Sequence, residues 1–282
     1  MSLNVAFGKI VEVADLKQIK QTCLELDSNA LSQTLVIFDV DSTLIVPKDM
    51  SLRDRWADYG TKTREVLDRL LEEEPLARKY NEEVLMPEYA FPPRMITAAL
   101  MQAKQEIIDP KSVTLIESLA HRGVKTIALT AAHTGPLGVM PAMEDWRIDH
   151  LKSLGYDFSR AFPESNLLSF PEIQEAQSTP IFKQGILFSS TQPKGEVLAH
   201  FLKQINWMPK KIIFVDDNLS YVQSVGMTMS ALGVEVIGFY YTAVDSLSKT
   251  LDLKLCELQF RHLIERGEWL SDKEAADLLA VE

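Results

Sequence analysis

Two carboxylates and a hydroxyl stand directly after an apolar run near the start of the chain. The run Leu35–Phe38 leads into Asp39, and Asp41 and Thr43 follow at intervals of two residues. Successive residues of an extended strand point to opposite faces, so Asp39 and Asp41 begin on the same side of the chain. The pair can therefore address one ligand together, as metal-binding and acid–base chemistry both require.

Further reactive side chains occur later in the chain, each beside an apolar run. One run ends in Thr130, and a later run ends in Asp216 and Asp217. Lys194 opens the segment before that last run, and the apolar residues of this segment recur at helical spacing. The chain therefore presents an acid pair, a hydroxyl, a lysine and a second acid pair, in that order.

The apolar runs predict how these side chains are brought together. Residues 35–38, 124–129 and 211–215 are largely apolar on both faces, which is typical of central strands in a parallel sheet covered by helices. Helical patterns alternate with the runs, so we predict an α/β fold with a doubly wound, Rossmann-like parallel sheet. The ligand crevice of such a sheet lies beyond the carboxyl ends of its strands, where all three runs end in polar residues.

A helical insertion interrupts the predicted sheet. Residues 47–108 show charged helical segments, one of them over 76–85, and no convincing buried strand. We predict a core made of residues 1–46 and 109–282, with residues 47–108 as a helical cap that selects the substrate. The cap residues considered for substrate contact are Arg53, Arg55, Trp56, Tyr59 and Arg94.

Two local features complete the predicted elements. The step Lys183–Gly185 lies between short apolar runs and predicts a small β-hairpin. Near the C-terminus, Ser271 and Glu274 have the spacing of a capping box at the start of the last helix.

Composition narrows the classes of partner and location. The 40 acidic and 29 basic residues give a formal net charge of -11, which disfavours binding to nucleic acid or an anionic membrane. No apolar run approaches the roughly 20 residues that span a bilayer, and the first residues lack the pattern of a signal peptide, although a sequence that begins after a removed signal peptide would look the same. We expect a cytoplasmic protein in which Cys23 and Cys256 are reduced, with a single bridge between them left open. The oligomeric state is not predicted.

The order of the reactive residues resembles that of the four motifs of the haloacid dehalogenase-like (HAD) phosphatases. Residues 39–43 read Asp-Val-Asp-Ser-Thr and match the complete first motif, Asp-x-Asp-x-Thr on a buried strand. Thr130, Lys194 and the second acid pair stand where the later motifs are expected. The resemblance covers most of the chain apart from the cap and the C-terminal tail. With its fourth motif Phe-Val-Asp-Asp-Asn, the chain looks close to a poorly characterised bacterial HAD group that has a helical cap.

The resemblance implies a role for each acidic residue. Asp39 is the nucleophile, and its aspartyl-phosphate divides one difficult displacement into two. Its second carboxylate oxygen, the backbone carbonyl of Asp41 and the carboxylate of Asp216 bind Mg²⁺, because charge must be neutralised before an anionic ester meets an anionic nucleophile. Asp217 is a further ligand, direct or through water, or it orients Lys194.

The same resemblance implies which residues handle phosphate and proton. Thr130 and Lys194 hold the phosphoryl oxygens, with Thr43 beside them. Asp41 protonates the leaving alkoxide and then deprotonates the attacking water, and an acid at this position is typical of phosphatases and phosphomutases. Relatives with a similar Leu-Thr-Ala segment often carry an Arg next, but this chain has Ala, Ala and His133, which faces either the substrate or solvent.

The leading functional prediction is a Mg²⁺-dependent phosphomonoester hydrolase that acts on a small phosphorylated metabolite. Two alternatives stay open. The same residues suit a phosphotransferase or phosphomutase, and the fold also suits a HAD-like protein that binds a partner or ligand without turnover. The presence of both Asp39 and Asp41 argues against the last of these.

Overall fold

The described strands form one large sheet and one small sheet. The computed structural model describes residues 2–5, 8–53, 57–73, 93–173, 178–247 and 250–281. Within these ranges the strands are β1 (Ser2–Val5), β2 (Gly8–Val13), β3 (Thr34–Phe38), β4 (Ile45–Pro47), β5 (Gln105–Ile107), β6 (Lys125–Thr130), β7 (Leu167–Ser169), β8 (Ile181–Lys183), β9 (Ile186–Phe188), β10 (Lys211–Asp216) and β11 (Glu235–Tyr241). Strands β4 and β5 form a separate two-stranded sheet, and the other nine form the central one.

The central sheet is parallel throughout its middle. Its strand order is β1-β2-β11-β10-β3-β6-β9-β8-β7. Every neighbouring pair from β2 to β9 is parallel, and β1, β8 and β7 add antiparallel pairs at the two edges. Strand β3 lies between β10 and β6, and all of its residues are buried. The predicted α/β fold with a parallel sheet is therefore confirmed.

Helices connect the strands and fill the remaining layers. They are α1 (Lys17–Leu24), α2 (Ser28–Leu31), α3 (Ala57–Glu73), α4 (Pro93–Gln102), α5 (Lys111–His121), α6 (Met143–Ser153), α7 (Lys194–Gln204), α8 (Leu219–Ala231), α9 (Leu253–Arg266) and α10 (Asp272–Leu279). Short 3₁₀ turns occupy Met50–Leu52, Pro163–Ser165, Pro171–Ile173 and Ala243–Leu247. Among the described residues, no helix combines the length and apolar character that crossing a bilayer requires.

Alternate residues of β3 show that both faces of the sheet are covered. Val36 and Phe38 belong to one apolar cluster, together with residues of α1, α5 and α6. Leu35 and Ile37 belong to a second cluster, together with residues of α7 and α8. A strand that is buried on both faces needs an apolar side chain at every position, which explains the uninterrupted run at 35–38.

The predicted hairpin at Lys183–Gly185 is confirmed as the antiparallel pair β8 and β9. Gln184 and Gly185 have φ angles of 49° and 83°, and two consecutive positive values are typical of a tight hairpin turn. A Cβ atom at Gly185 would lie 2.0 Å from the carbonyl oxygen of Phe158. Only glycine fits this position, because the turn packs directly against a neighbouring backbone.

The chain divides into two compact units. The first consists of Met1–Ile45, Ile107–Gly135 and Ala142–Leu247, and the second of Val46–Glu106, Pro136–Pro141 and Ser248–Glu282. The sequence-based division differs at the C-terminus, because it assigns the last residues to the core. The structure groups these residues with most of the predicted cap.

The apolar face of α9 explains this difference. Phe260 and Leu263 of α9 are fully buried in one cluster with Leu67 of α3 and Met95 of α4. Each of these helices would otherwise expose an apolar stripe to water, so the three helices bury one another. The C-terminal segment therefore completes the core of the second unit.

The cap residues considered for substrate contact are only partly described. Arg53 is buried within the second unit, where its Nε donates to the carbonyl oxygen of Pro47 at 2.6 Å and its Nη2 pairs with Glu106 at 2.7 Å. Arg94 is half-buried. The predicted helix over 76–85 and the side chains of Arg55, Trp56 and Tyr59 lie outside the described residues.

Side chains also join the two ends of the second unit. The buried carboxylate of Asp49 accepts hydrogen bonds from Nε1 of Trp269 and from the backbone N–H of Asp272, both at 2.9 Å. Asp272 in turn accepts from the backbone N–H of Met50 at 3.1 Å. The capping box predicted at the start of α10 is confirmed. These contacts satisfy helix-end donors that would otherwise be buried without partners.

Helices α7 and α8 approach so closely at Gly195 that a side chain is not tolerated there. A Cβ atom at Gly195 would lie 2.5 Å from the carbonyl oxygen of Ser224 and 2.6 Å from Oγ1 of Thr228. We expect Gly195→Ala to push α7 away and to lower the free energy of unfolding by about 1–3 kcal/mol in urea denaturation. The control is Glu196→Ala, an exposed position on the same helix, with an expected change within about 0.5 kcal/mol. Native stability in Gly195→Ala would contradict the packing described.

Candidate active site

Three neighbouring strands bring the polar side chains to one edge of the sheet. Asp39 follows β3, Thr130 ends β6 and Asp216 ends β10. Strand β3 pairs in parallel with both of the other strands. The carboxyl ends of all three strands therefore lie side by side, which is the position of the ligand crevice in sheets of this kind.

The central contact of the site is a buried lysine between two carboxylates. Nζ of Lys194, the first residue of α7, donates to Oδ1 of Asp39 at 2.5 Å and to Oδ2 of Asp216 at 2.7 Å. Lys194 and Asp216 are fully buried, and Asp39 is 5% exposed. The structure therefore joins residues of three predicted motifs through one ammonium group.

Burial and charge act in opposite senses on these three groups. Burial alone would lower the pKa of Lys194, but the negative charges of Asp216 and Asp39 outweigh it and raise this pKa above its ordinary value. Burial raises the pKa of Asp216 to about 7; Lys194 opposes this shift, and the charge of Asp39 adds to it. The charge of Lys194 therefore does not fully offset the effect of burial on the pKa of Asp216.

A third carboxylate completes a group that fits a divalent cation. One oxygen from each of Asp39, Asp216 and Asp217 lies within 4.8 Å of the others, and this is the one such group in the described part of the chain. When ionised, these residues and Lys194 carry three negative charges and one positive charge. Mg²⁺ prefers carboxylate oxygens, so the donor set fits the ion that the HAD resemblance implies.

Thr43 holds Asp217 in place. Oγ1 of Thr43 accepts a hydrogen bond from the backbone N–H of Asp217 at 3.0 Å and donates to Oδ1 of Asp217 at 3.2 Å. The side chain of Thr43 is buried. Its one hydroxyl proton is thus engaged with a carboxylate, and the predicted contact of Thr43 with phosphate stays a prediction.

Thr130 lies beside a loop that sequence reasoning does not single out. Oγ1 of Thr130 accepts from the backbone N–H of Ala132 at 3.1 Å, and its carbonyl oxygen accepts from the backbone N–H of Ser189 at 2.8 Å. Ser190 is buried with a φ angle of 54°, and its hydroxyl lies 3.5 Å from Nδ1 of His133. The loops after β6 and β9 therefore meet at the site, and His133 contacts protein.

Asp41 is held by an arginine that sequence reasoning also misses. Nη2 of Arg147, on α6, lies 2.8 Å from Oδ1 of Asp41. The Asp41 side chain is 51% exposed, whereas that of Arg147 is 5% exposed. Met143, Arg147 and Leu151 are all buried and recur every four residues on α6. A charged residue within a buried stripe is the one sequence signal that points to Arg147.

The two cysteines lie apart from this chemistry. Cys23 and Cys256 carry free thiols, and both are buried. Burial raises the pKa of the Cys23 thiol to about 12 and that of the Cys256 thiol to about 11. Neither thiol has the low pKa that nucleophilic cysteines require.

The chain is similar in sequence to a family of bacterial proteins. The model of a family described as protein of unknown function, DUF2608, matches residues 12–276. The chain belongs to this family. An uncharacterized protein of Rickettsia bellii is 28% identical over 249 residues, which is 86% of this chain and 80% of that protein. An uncharacterized protein of Rickettsia prowazekii is 26% identical over 281 residues, which is 99% of this chain and 95% of that protein.

A solved structure of similar type comes from Streptococcus pneumoniae. It is a hydrolase of the haloacid dehalogenase-like family that is 14% identical in sequence to this chain, with a TM-score of 0.38. The match covers 77% of this chain and 97% of the Streptococcus pneumoniae chain. A likeness at this level carries no weight for mechanism.

The buried Lys194 contact predicts a strong coupling between Lys194 and Asp216. We expect Lys194→Met to lower the free energy of unfolding by about 3–5 kcal/mol in urea denaturation with a metal chelator present, because two buried carboxylates lose their cation. Asp216→Asn in the same chain removes one of those carboxylates. The double variant should therefore be more stable than the sum of the two single changes predicts.

An exposed lysine supplies the control for this cycle. Lys152→Met on α6 removes one positive charge from the surface, and we expect a change within about 0.5 kcal/mol. Strictly additive effects of Lys194→Met and Asp216→Asn would contradict the contact.

His150, one helical turn after Arg147, predicts a loss of stability in mild acid. Burial lowers the pKa of His150 from 6.5 to about 4; the charge of Arg147 adds to this shift and that of Asp41 opposes it. The unfolded chain gains a proton here below pH 6.5 and the folded chain does not, so this stability is complete above pH 6.5 and is lost as the pH falls toward 4. We expect a loss of about 1–2 kcal/mol over that range, since the side chain is partly exposed.

Urea denaturation of native protein and His150→Gln at several pH values measures this contribution. The variant should lose less stability between pH 6.5 and 4 than the native chain does. His121→Gln, at an exposed position on α5, is the matched control for replacing a histidine. Identical profiles for His150→Gln and the native chain would rule out this source of acid sensitivity.

Proposed function

We propose that this DUF2608 chain is a Mg²⁺-dependent phosphomonoester hydrolase that acts through an aspartyl-phosphate at Asp39. One observation carries the proposal: a fully buried Lys194 joins Asp39 to Asp216 at the carboxyl edge of the sheet. An ion pair that served stability alone would balance its charges. Here Asp217, which is partly exposed, adds a third carboxylate to the group, and such a cluster of excess negative charge is typical of functional sites.

The first step transfers the phosphoryl group to the protein. A carboxylate oxygen of Asp39 attacks phosphorus, and the new P–O bond forms as the bond to the leaving oxygen breaks. Lys194 reduces the repulsion between Asp39 and the anionic ester. Asp41, in its protonated form, gives its proton to the leaving alkoxide. When bound by the carboxylates of Asp39, Asp216 and Asp217 and the carbonyl of Asp41, Mg²⁺ neutralises charge on the phosphoryl oxygens.

The second step returns the protein to its starting state. Asp41, now a carboxylate, takes a proton from water as the water oxygen attacks phosphorus. The bond between phosphorus and Asp39 breaks, the Asp39 carboxylate is regenerated and inorganic phosphate leaves. Asp41 thus serves as acid and then as base. It loses one proton in the first step and regains one in the second, so it ends each cycle in its starting protonation state.

Two hydroxyl groups support these steps in different ways. Because Thr130 Oγ1 accepts from the backbone N–H of Ala132, its own proton is available to a phosphoryl oxygen. The hydroxyl of Thr43 instead donates its proton in a hydrogen bond to Asp217, so its proposed role is to orient a metal ligand. We therefore propose that Thr130 and Lys194, and not Thr43, donate to the phosphoryl oxygens.

The proposed substrate is a small phosphate ester. The formal net charge of -11 disfavours nucleic acid and anionic membrane as partners. The sequence also predicts that the helical segment 47–108 restricts access to a site of this kind, which favours a small metabolite over a phosphoprotein.

Hydrolysis of p-nitrophenyl phosphate with and without Mg²⁺ tests the proposal. We expect the native chain to need Mg²⁺, and Asp39→Asn to lose activity by roughly 10³-fold or more, because the amide cannot form the covalent intermediate. Asp15→Asn, at an exposed position outside the motifs, should retain native activity. Full activity of Asp39→Asn would rule out the mechanism.

The products of the same reaction separate the alternatives. Release of inorganic phosphate as the sole phosphorus product supports hydrolysis. Transfer to an added alcohol such as glycerol would indicate a phosphotransferase. Binding of inorganic phosphate with Mg²⁺, lost in Asp39→Asn but without turnover of any ester, would indicate a binding protein instead.

A further inference from the structure

Arg147 belongs to none of the four motifs, yet it contacts Asp41, the second aspartate of the first motif. Its Nη2 lies 2.8 Å from Oδ1 of Asp41, and its side chain is almost completely buried. The guanidinium carbon also lies 4.9 Å from the ring centroid of the neighbouring Trp146. Arg147 is thus held by packing, while the carboxylate that it contacts is half exposed.

The surroundings of Arg147 are unfavourable for a charged side chain. Its Nε and Nη1 are buried and make no hydrogen bond to any described residue. A guanidinium has five N–H donors, and buried donors without acceptors destabilise the folded state. Ile148 and Leu151, its neighbours on α6, belong to the apolar cluster on this face of the sheet. An apolar side chain would therefore suit the packing better than arginine does.

The benefit of an arginine here falls on Asp41. A half-exposed carboxylate rotates freely among several rotamers, and proton transfer requires one defined position. A rigid, buried guanidinium that donates to Oδ1 fixes the carboxylate in one orientation. Asp41 therefore obtains from α6 what Asp39 obtains from α7, namely a cation that holds it in place.

We infer that Arg147 is a positioning residue that orients Asp41 for proton transfer to the leaving group, an inference that rests on the proposed phosphatase function. Arg147 itself is buried and needs no contact with substrate. Its effect should depend on the leaving group, because a poor leaving group such as an alkoxide needs the proton and p-nitrophenolate needs it far less.

The experiment compares an alkyl phosphate with p-nitrophenyl phosphate in the full-length chain with Mg²⁺. We expect Arg147→Met to lower kcat/KM for the alkyl phosphate by roughly 10- to 100-fold and for the aryl phosphate by much less, because it impairs acid catalysis without removing the acid. Asp41→Asn should show the same selectivity with a larger loss. Arg147→Lys, which keeps a cation, should recover part of the alkyl activity.

Two further variants separate positioning from a general structural effect. In an Asp41→Asn background, Arg147→Met should have almost no additional effect, because the group that it positions is already lost. Lys152→Met removes an exposed cation from the same helix and should keep the native ratio of the two activities. The urea midpoint of Arg147→Met should equal or exceed the native value, since buried unpartnered donors are removed.

The outcomes distinguish this inference from the proposed function. If the native chain shows no hydrolysis that depends on Asp39, both fail. If hydrolysis depends on Asp39 but Arg147→Met keeps the native ratio of alkyl to aryl activity, the inference alone fails. Equal losses with both substrates, or a full additional loss in the Asp41→Asn background, would also overturn it by showing a structural role.

Discussion

The buried contact of Lys194 with Asp39 and Asp216 is the constraint on which the rest of the site depends. Each partner comes from a different element: the end of β3, the end of β10 and the first turn of α7. An ammonium group shielded from water needs a carboxylate partner, and a buried carboxylate needs a cation. The relative position of these three elements is therefore tied to charge balance as well as to apolar packing.

The two aspartates of the first motif are held from opposite faces of the sheet. Lys194 reaches Asp39 from α7, which belongs to the cluster around Leu35 and Ile37. Arg147 reaches Asp41 from α6, which belongs to the cluster on the other face. A doubly wound sheet provides this arrangement directly, because helices cover both faces of its central strand. The nucleophile and the acid–base group can thus be oriented by separate cations.

Much of the site was predictable because the strongest local signals in the chain belong to the elements that carry it. Strands β3, β6 and β10 are short apolar runs, and the topology of parallel sheets places their polar ends together. Thr43 illustrates what local patterns do not contain, since its hydrogen bonds to Asp217 depend on the packing of two loops. Arg147 was missed for the same reason, because its partner lies on another element.

The division of the chain was less predictable than its strands. The helical pattern at the C-terminus does not indicate which unit the helix packs against. The residues that pack against Phe260 lie on other helices and are brought to it only by folding. Turn chemistry was more informative where glycine was present, as at Gly185. The positive φ of Ser190, by contrast, has no sequence signal, because serine rarely adopts that conformation.

The connectivity of the second unit has a consequence for how the protein is made. Helices α3 and α4 emerge from the ribosome well before α9, whose Phe260 and Leu263 share their core. Lys194 likewise follows Asp39 by 155 residues. The apolar stripes of α3 and α4 therefore stay exposed while strands β6 to β11 are translated, and such delayed burial favours aggregation of incomplete chains. A chain that ends before α9 would leave those stripes uncovered permanently.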